Sequence, residues 1–261
     1  MKVFLNLVAW LGNGVLGFVE YIGELGMFAA IGVSHFFRPP WYPRQFFRAV
    51  MEIGYFSLPM VALTALFTGM VLALQSYTGF SKFGAEGAIA TIVVLSITRE
   101  LGPVLAGLMV SGRAGAAMAA ELGTMRVTDQ IDALSTLSTE PMKYLVAPRL
   151  LAGVVALPLL VLVADVLGIM GGFLVSTVKL GFSTGGYLIS TFNAFGSHDV
   201  VYGLIKAAAF GFVISLMGCF NGYRSRGGAQ GVGAATTSAV VSASILILAL
   251  DYVLTQVLFV Q

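Results

Sequence analysis

Five ionisable residues stand inside long apolar runs of this chain: Arg99, Glu100, Asp165, Lys206 and Asp251. A charge at the centre of a bilayer costs about 2.5–3.5 kcal/mol on insertion scales, so such a residue faces a partner or a cavity rather than acyl chains. The set mixes both signs, which permits pairing across helices. For Arg99 and Glu100, structural pairing and a polar gate in a transport path are both open readings. For Asp165, helix packing is favoured. Other chemistry is hard to build from these residues. A phosphate-binding P-loop needs Gly-x4-Gly-Lys-Ser/Thr, and the five lysines are followed by Val, Phe, Tyr, Leu and Ala. The glycine-rich RSRGGAQGVG (224–233) joins two apolar runs and reads as a turn carrying basic residues. His35 and His198 fall on opposite sides of the expected membrane, so a zinc site built from them is not expected. No Ser-His-Asp set suggests itself.

The elements that must position these charges follow from composition. Of 261 residues, 58% are hydrophobic and 10% charged, against about 25% charged in soluble domains. Mean hydropathy is +0.93. The chain is thus expected in a bilayer. A net charge of +2, with no long basic run, gives no case for a nucleic-acid partner. The single cysteine, Cys219, excludes a disulfide within the chain and reads as a small buried hydrophobe. Residues 3–19 lack charge, but Asn6, Asn13, Glu20 and Glu24 argue for a helix lying at the interface rather than a signal peptide.

A spanning helix needs about 20 mostly apolar residues. Five runs qualify: about 57–79, 88–117, 149–177, 200–222 and 234–258. With the N-terminus inside, the inner segments hold Lys2, Arg38, Arg44, Arg48, Arg113, Arg126, Lys143, Arg149, Arg224 and Arg226, while the outer loops hold Lys82 and Lys179. The positive-inside rule therefore predicts N-in, C-out. The expected fold is an all-α integral membrane protein. Interfacial amphipathic helices occupy residues 1–56, and a five-helix transmembrane domain occupies 57–261. Just before the first span, Arg44, Arg48 and Glu52 form one polar stripe. Phe46, Phe47, Val50 and Ile53 lie mostly away from it, as in a helix lying in the interface.

The inner loop at about 118–147 is the longest polar segment. There Thr128 is expected to cap a short helix over 129–135, with Asp129 at its positive end. Thr139-Glu140-Pro141 reads as the start of the next helix. Upstream, Gly107, Ser111, Gly115, Ala119 and Gly123 recur every four positions. Such a ridge of small residues lets helix backbones approach closely where lipid offers no hydrophobic drive. The second span is therefore expected at the packed centre.

The stretch RELGPVLAGLMVSGRAGAAMAAELGTMRVTDQIDAL (99–134) closely resembles the MlaE family of ABC transporter permeases. GMVLALQ (69–75), APRLLAGVVALPLL (147–160), FNGY (220–223), ATT (235–237) and LDYVLT (250–255) extend the resemblance over nearly the whole chain. It implies a bacterial inner-membrane permease that pairs with a second copy of itself and moves phospholipids or related lipids between the inner membrane and the outer envelope. A separate ABC ATPase subunit would bind the ATP, so no cofactor is expected here. Further implied partners are a periplasmic MCE-domain lipid-binding protein and a small STAS-domain protein. The resemblance makes the 128–135 helix the coupling element, with Thr128, Asp129, Gln130, Asp132 and Leu134 as its ATPase-facing residues. AAELG is similar to the Glu-Ala-Ala…Gly loop of other ABC importers, in a different order, and adds Glu121 and Gly123. The paired copies would enclose an apolar cavity, lined here by Met70, Leu74, Gln75 and Tyr77 with Arg99 and Glu100. The rival expectation is an ion-coupled secondary transporter relaying through Asp165, Lys206 and Asp251. Such carriers often show internal repeats, and none is visible. A purely structural membrane anchor would need neither the polar loop nor the intramembrane charges.

Overall fold

In lipid every backbone N–H and C=O must be bonded within its own element or a neighbour, which selects helices for long apolar runs. The computed structural model describes residues 2–259, and every regular element among them is helical. Residues 1, 260 and 261, the outer limits of the two expected segments, lie outside them. The elements are α1 (Lys2–Ser34), α2 (Pro43–Ile53), α3 (Leu58–Phe80), α4 (Ile89–Ser96), α5 (Gly102–Val110), α6 (Ala116–Val127), α7 (Gln130–Thr136), α8 (Ala147–Val178), α9 (Thr184–Ala194), α10 (Ser197–Tyr223) and α11 (Gly228–Phe259). Helices α4, α5 and α6 run end to end, joined by π-helical turns at Ile97–Leu101 and Ser111–Gly115. A third such turn, Met142–Val146, leads into α8.

Among the described residues six stretches are long and apolar enough to cross a membrane, and the chain is a multi-pass membrane protein. Five coincide with the expected spans. The sixth, Gly12–Phe37, takes in most of α1 and the 3-10 turn His35–Phe37 that follows it, where an interfacial helix is expected from the sequence. Its asparagines and glutamates do not interrupt the helix. Instead, Glu24 pairs with Arg224 and Phe28 meets Phe220 edge-on at 5.4 Å, tying α1 to the end of α10.

Close backbone approach organises the interior. α8 presents glycines to two neighbours. A Cβ at Gly69 of α3 would overlap the Gly168 carbonyl, and one at Gly171 would overlap that of Leu66. On the other side a Cβ at Gly153 or at Gly211 of α10 would strike the other's carbonyl. The every-fourth ridge faces α10 and α11: Gly107 sits against Phe210 and Ile247, Gly115 against Ile214, and Gly123 against Ser225 and Val232. Ser111 and Ala119 are fully buried. The rod α4–α6 thus shares the centre with α8 and α10 rather than holding it alone. Gly168 and Gly172 continue an every-fourth series with Ala152, Ala156, Ala164 and Ser176, interrupted by Leu160, while Gly153 and Gly171 fall outside it. With little hydrophobic drive between helices in lipid, this surface matching supplies the dispersion energy of association.

Candidate functional site

A charge cluster lies two to three turns from one end of the bundle, where α4 and α10 begin and α11 ends. The π-helical turn Ile97–Leu101 and Pro103 shape it. Proline has no N–H, so Arg99, four residues earlier, has a carbonyl without its usual helical donor. Lys206 of α10 supplies one, its Nζ standing 3.1 Å from that oxygen. The same ammonium lies 2.8 Å from Glu100 Oε2, 2.7 Å from the Thr255 hydroxyl and 3.0 Å from Asp251 Oδ1. Three N–H groups meet four oxygens, so Asp251 is held chiefly by charge. The Thr255 hydroxyl accepts from Lys206 and lies 2.8 Å from the Asp251 carbonyl and 3.2 Å from Glu100 Oε1, which share its one proton. A second pair caps the group: Arg99 Nε donates to Asp199 Oδ1 at 2.8 Å.

Burial grades across this cluster. The Lys206 side chain is fully buried and Asp251 is 20% exposed, but Arg99 and Glu100 are 39% and 38% exposed. Charges presented to acyl chains are costly. The face carrying Arg99 and Glu100 therefore requires water, a polar ligand group or another protein surface against it.

The structure brings together four of the five charges singled out from sequence: Arg99, Glu100, Lys206 and Asp251. Asp165 sits where α8 crosses the start of α5, against Gly102, whose Cβ would overlap its Oδ1. That oxygen is buried without a hydrogen-bond partner among the described residues. Sequence reading missed Asp199 and Thr255. Helical spacing could have found both. Asp199 precedes Lys206 by seven residues and Thr255 follows Asp251 by four, each pair on one helix face.

The residues expected to line a cavity lie on α3. Met70, Leu74 and Tyr77 are half-buried and Gln75 is exposed. Tyr77 packs on Phe182 with ring centroids 6.0 Å apart. A narrow crevice of about 10 Å³ between α3 and α5 is lined nearer the middle of α3, by Thr64, Thr68, Leu101, Leu105 and Met109.

At the other end of the bundle, α7 forms a short helix beside α6. Thr128 does not cap it. Its hydroxyl donates back to the Thr124 carbonyl at 2.8 Å, closing α6 instead. Asp129 stands at the α7 boundary with φ +57°, a left-handed conformation that Asp tolerates, and its side chain makes no capping bond. The helix is therefore Gln130–Thr136, one residue later than expected. Ile131 is buried and Leu134 partly so, while Asp129, Gln130 and Asp132 are exposed. Asp132 pairs with Arg126 at 2.7 Å, and Glu121 with Arg149 at 2.8 Å. Nearby, Arg113 donates to Ser57 Oγ at 2.8 Å and to the Glu52 carbonyl. Among the described residues no three His, Cys, Asp or Glu side chains gather as a metal site.

These features define a multi-pass helical membrane protein with a charge cluster inside its bundle. Comparison with known proteins then gives the family. Residues 46–257 match the family model described as Permease MlaE. The chain is 54% identical to a probable ABC transporter permease protein of Rickettsia felis, covering 98% of this chain and 99% of that one. It is 36% identical to the intermembrane phospholipid transport system permease protein MlaE of Haemophilus influenzae, over 98% of this chain and 99% of that relative. A chloroplastic protein of Arabidopsis thaliana, TRIGALACTOSYLDIACYLGLYCEROL 1, is 39% identical over 78% of this chain and 58% of its own length. The chain belongs to the MlaE family of ABC transporter permeases.

Proposed function

We propose that this chain is the membrane-spanning subunit of a transporter that moves phospholipids or related lipids between a bacterial inner membrane and the outer envelope, powered by a separate ATPase. The carrying observation is the half-exposed Arg99–Glu100 face within a span, backed by the fully buried Lys206. A second copy set against this face encloses it, and Met70, Leu74, Gln75 and Tyr77 complete an apolar lining. A phospholipid suits such a chamber, with its acyl chains on the apolar wall and its charged headgroup at Arg99 and Glu100. The phospholipid transport named for the Haemophilus relative supports this reading.

The excess of Lys and Arg near α2, α6–α8 and the α10–α11 turn supports an N-in, C-out orientation with α2 in the inner interface. In that orientation α7 faces the cytoplasm. Its exposed Asp129, Gln130 and Asp132, with Thr128, Leu134 and Glu121 behind them, form the surface on which the ATPase subunit acts. An MCE-domain lipid-binding protein on the opposite side, and a STAS-domain protein, complete the assembly.

The test is co-purification followed by transport. The tagged chain brings an ATPase subunit with it, and the reconstituted complex moves labelled phospholipid only with ATP. A chain that purifies without an ATPase and accumulates a solute along a proton gradient is instead the ion-coupled carrier.

A further inference from the structure

Where α1, α2 and α8 meet, a cleft separate from the charge cluster opens at the bundle's other end. It offers a volume of about 350 Å³ and is lined by His35, Phe36, Trp41, Phe46, Lys143 and Leu151, among others. Three features give it the chemistry of a lipid site. Its walls are largely apolar, and Trp41 and Leu151 are exposed beside it, so acyl chain and ring can share one surface. Tryptophan prefers the headgroup level. Its charge is basic: Lys143 stands in the wall, with Arg38 and Arg44 on the adjoining chain. The Lys143 amine is steadied at 2.6 Å from the Pro39 carbonyl, which uses one of its three donors. His35, 7% exposed, lines the cleft, and its Nδ1 is buried without a hydrogen-bond partner among the described residues. Glu140, 2.9 Å from His35 Nε2, is the acidic group at this site.

We propose that this cleft holds an anionic phospholipid of the surrounding leaflet, distinct from the lipid transported. Its phosphate lies against Lys143 and within reach of His35, and an acyl chain follows Phe36, Phe46 and Leu151. Charge complementarity selects an anionic headgroup over a zwitterionic one. The site lies immediately before α8 and close after α7, so a lipid seated there braces the connection between the coupling helix and the bundle. The proposal does not depend on which lipid is transported or in which direction.

The chain has two tryptophans, Trp10 and Trp41, so Trp10→Phe makes Trp41 a single fluorescent reporter. The full-length variant is reconstituted in vesicles containing brominated phosphatidylglycerol, or brominated phosphatidylcholine, at equal mole fraction. Stronger quenching by the phosphatidylglycerol is expected, corresponding to about fivefold tighter association for one well-placed basic group. Lys143→Met in the same background is expected to abolish that preference. Equal quenching by the two lipids overturns the proposal without any mutation at the cleft. So does a preference that survives Lys143→Met, which would reflect the general basic surface.

Discussion

The two ends of the bundle use the same ion-pair chemistry in opposite surroundings. At one end Lys206 is fully buried between Glu100 and Asp251. At the other, Arg126 and Asp132 are 35% and 62% exposed, and Arg149 with Glu121 falls between these extremes. A buried charge stripped of its partner is strongly destabilising, whereas an exposed pair contributes little. The buried cluster therefore tightens the bundle around a polar face that acyl chains cannot cover. The exposed pairs leave the α7 region adjustable, as the coupling role proposed for it requires.

Substitutions sharpen the contrast in descending order. Lys206→Met leaves Glu100 and Asp251 uncompensated and is expected to lower stability by about 3–5 kcal/mol, read as a fall in melting temperature in detergent. The triple change Lys206→Met, Glu100→Gln, Asp251→Asn removes all three charges and should recover most of that loss. If the single and triple variants melt alike, the cluster is not a coupled unit. Arg149→Met, breaking a partly buried pair, is expected to cost about 1 kcal/mol. Asp132→Ala should change stability by less than about 0.5 kcal/mol, with the difference vanishing in high salt as screening grows. Asp129→Lys with Asp132→Lys should leave the melting temperature near that of the parent chain while reducing the ATPase recovered in a pull-down. Undiminished recovery would remove α7 from that interface.

Much of this was legible in the sequence, for physical reasons. Apolar runs near bilayer length locate five of the six long helices, because backbone hydrogen bonding in lipid leaves no alternative element. Arg99, Glu100, Lys206 and Asp251 stand out because charge is rare in such runs. Their partners Asp199 and Thr255 were less visible. Asp199 lies in the first turn of α10, where an acidic residue is ordinary, and a threonine inside a span attracts no notice. Thr128 was assigned to the wrong helix because its hydroxyl can serve either the helix behind or the helix ahead. The backbone geometry at Asp129, which the sequence does not announce, decides between them. Which helices the α8 glycines meet emerges only once α3 and α10 are seen on two of its faces.

The most direct test of the central claim is ATP-driven lipid transfer by the reconstituted complex carrying Glu100→Gln. This change keeps the side chain's shape and leaves Asp251 and Thr255 to hold Lys206. ATPase co-purification is expected to persist while phospholipid transfer falls by at least about tenfold, the loss of about 1.4 kcal/mol of headgroup interaction. Transfer at the parental rate would contradict it, placing the lipid path elsewhere and leaving the cluster a purely structural knot.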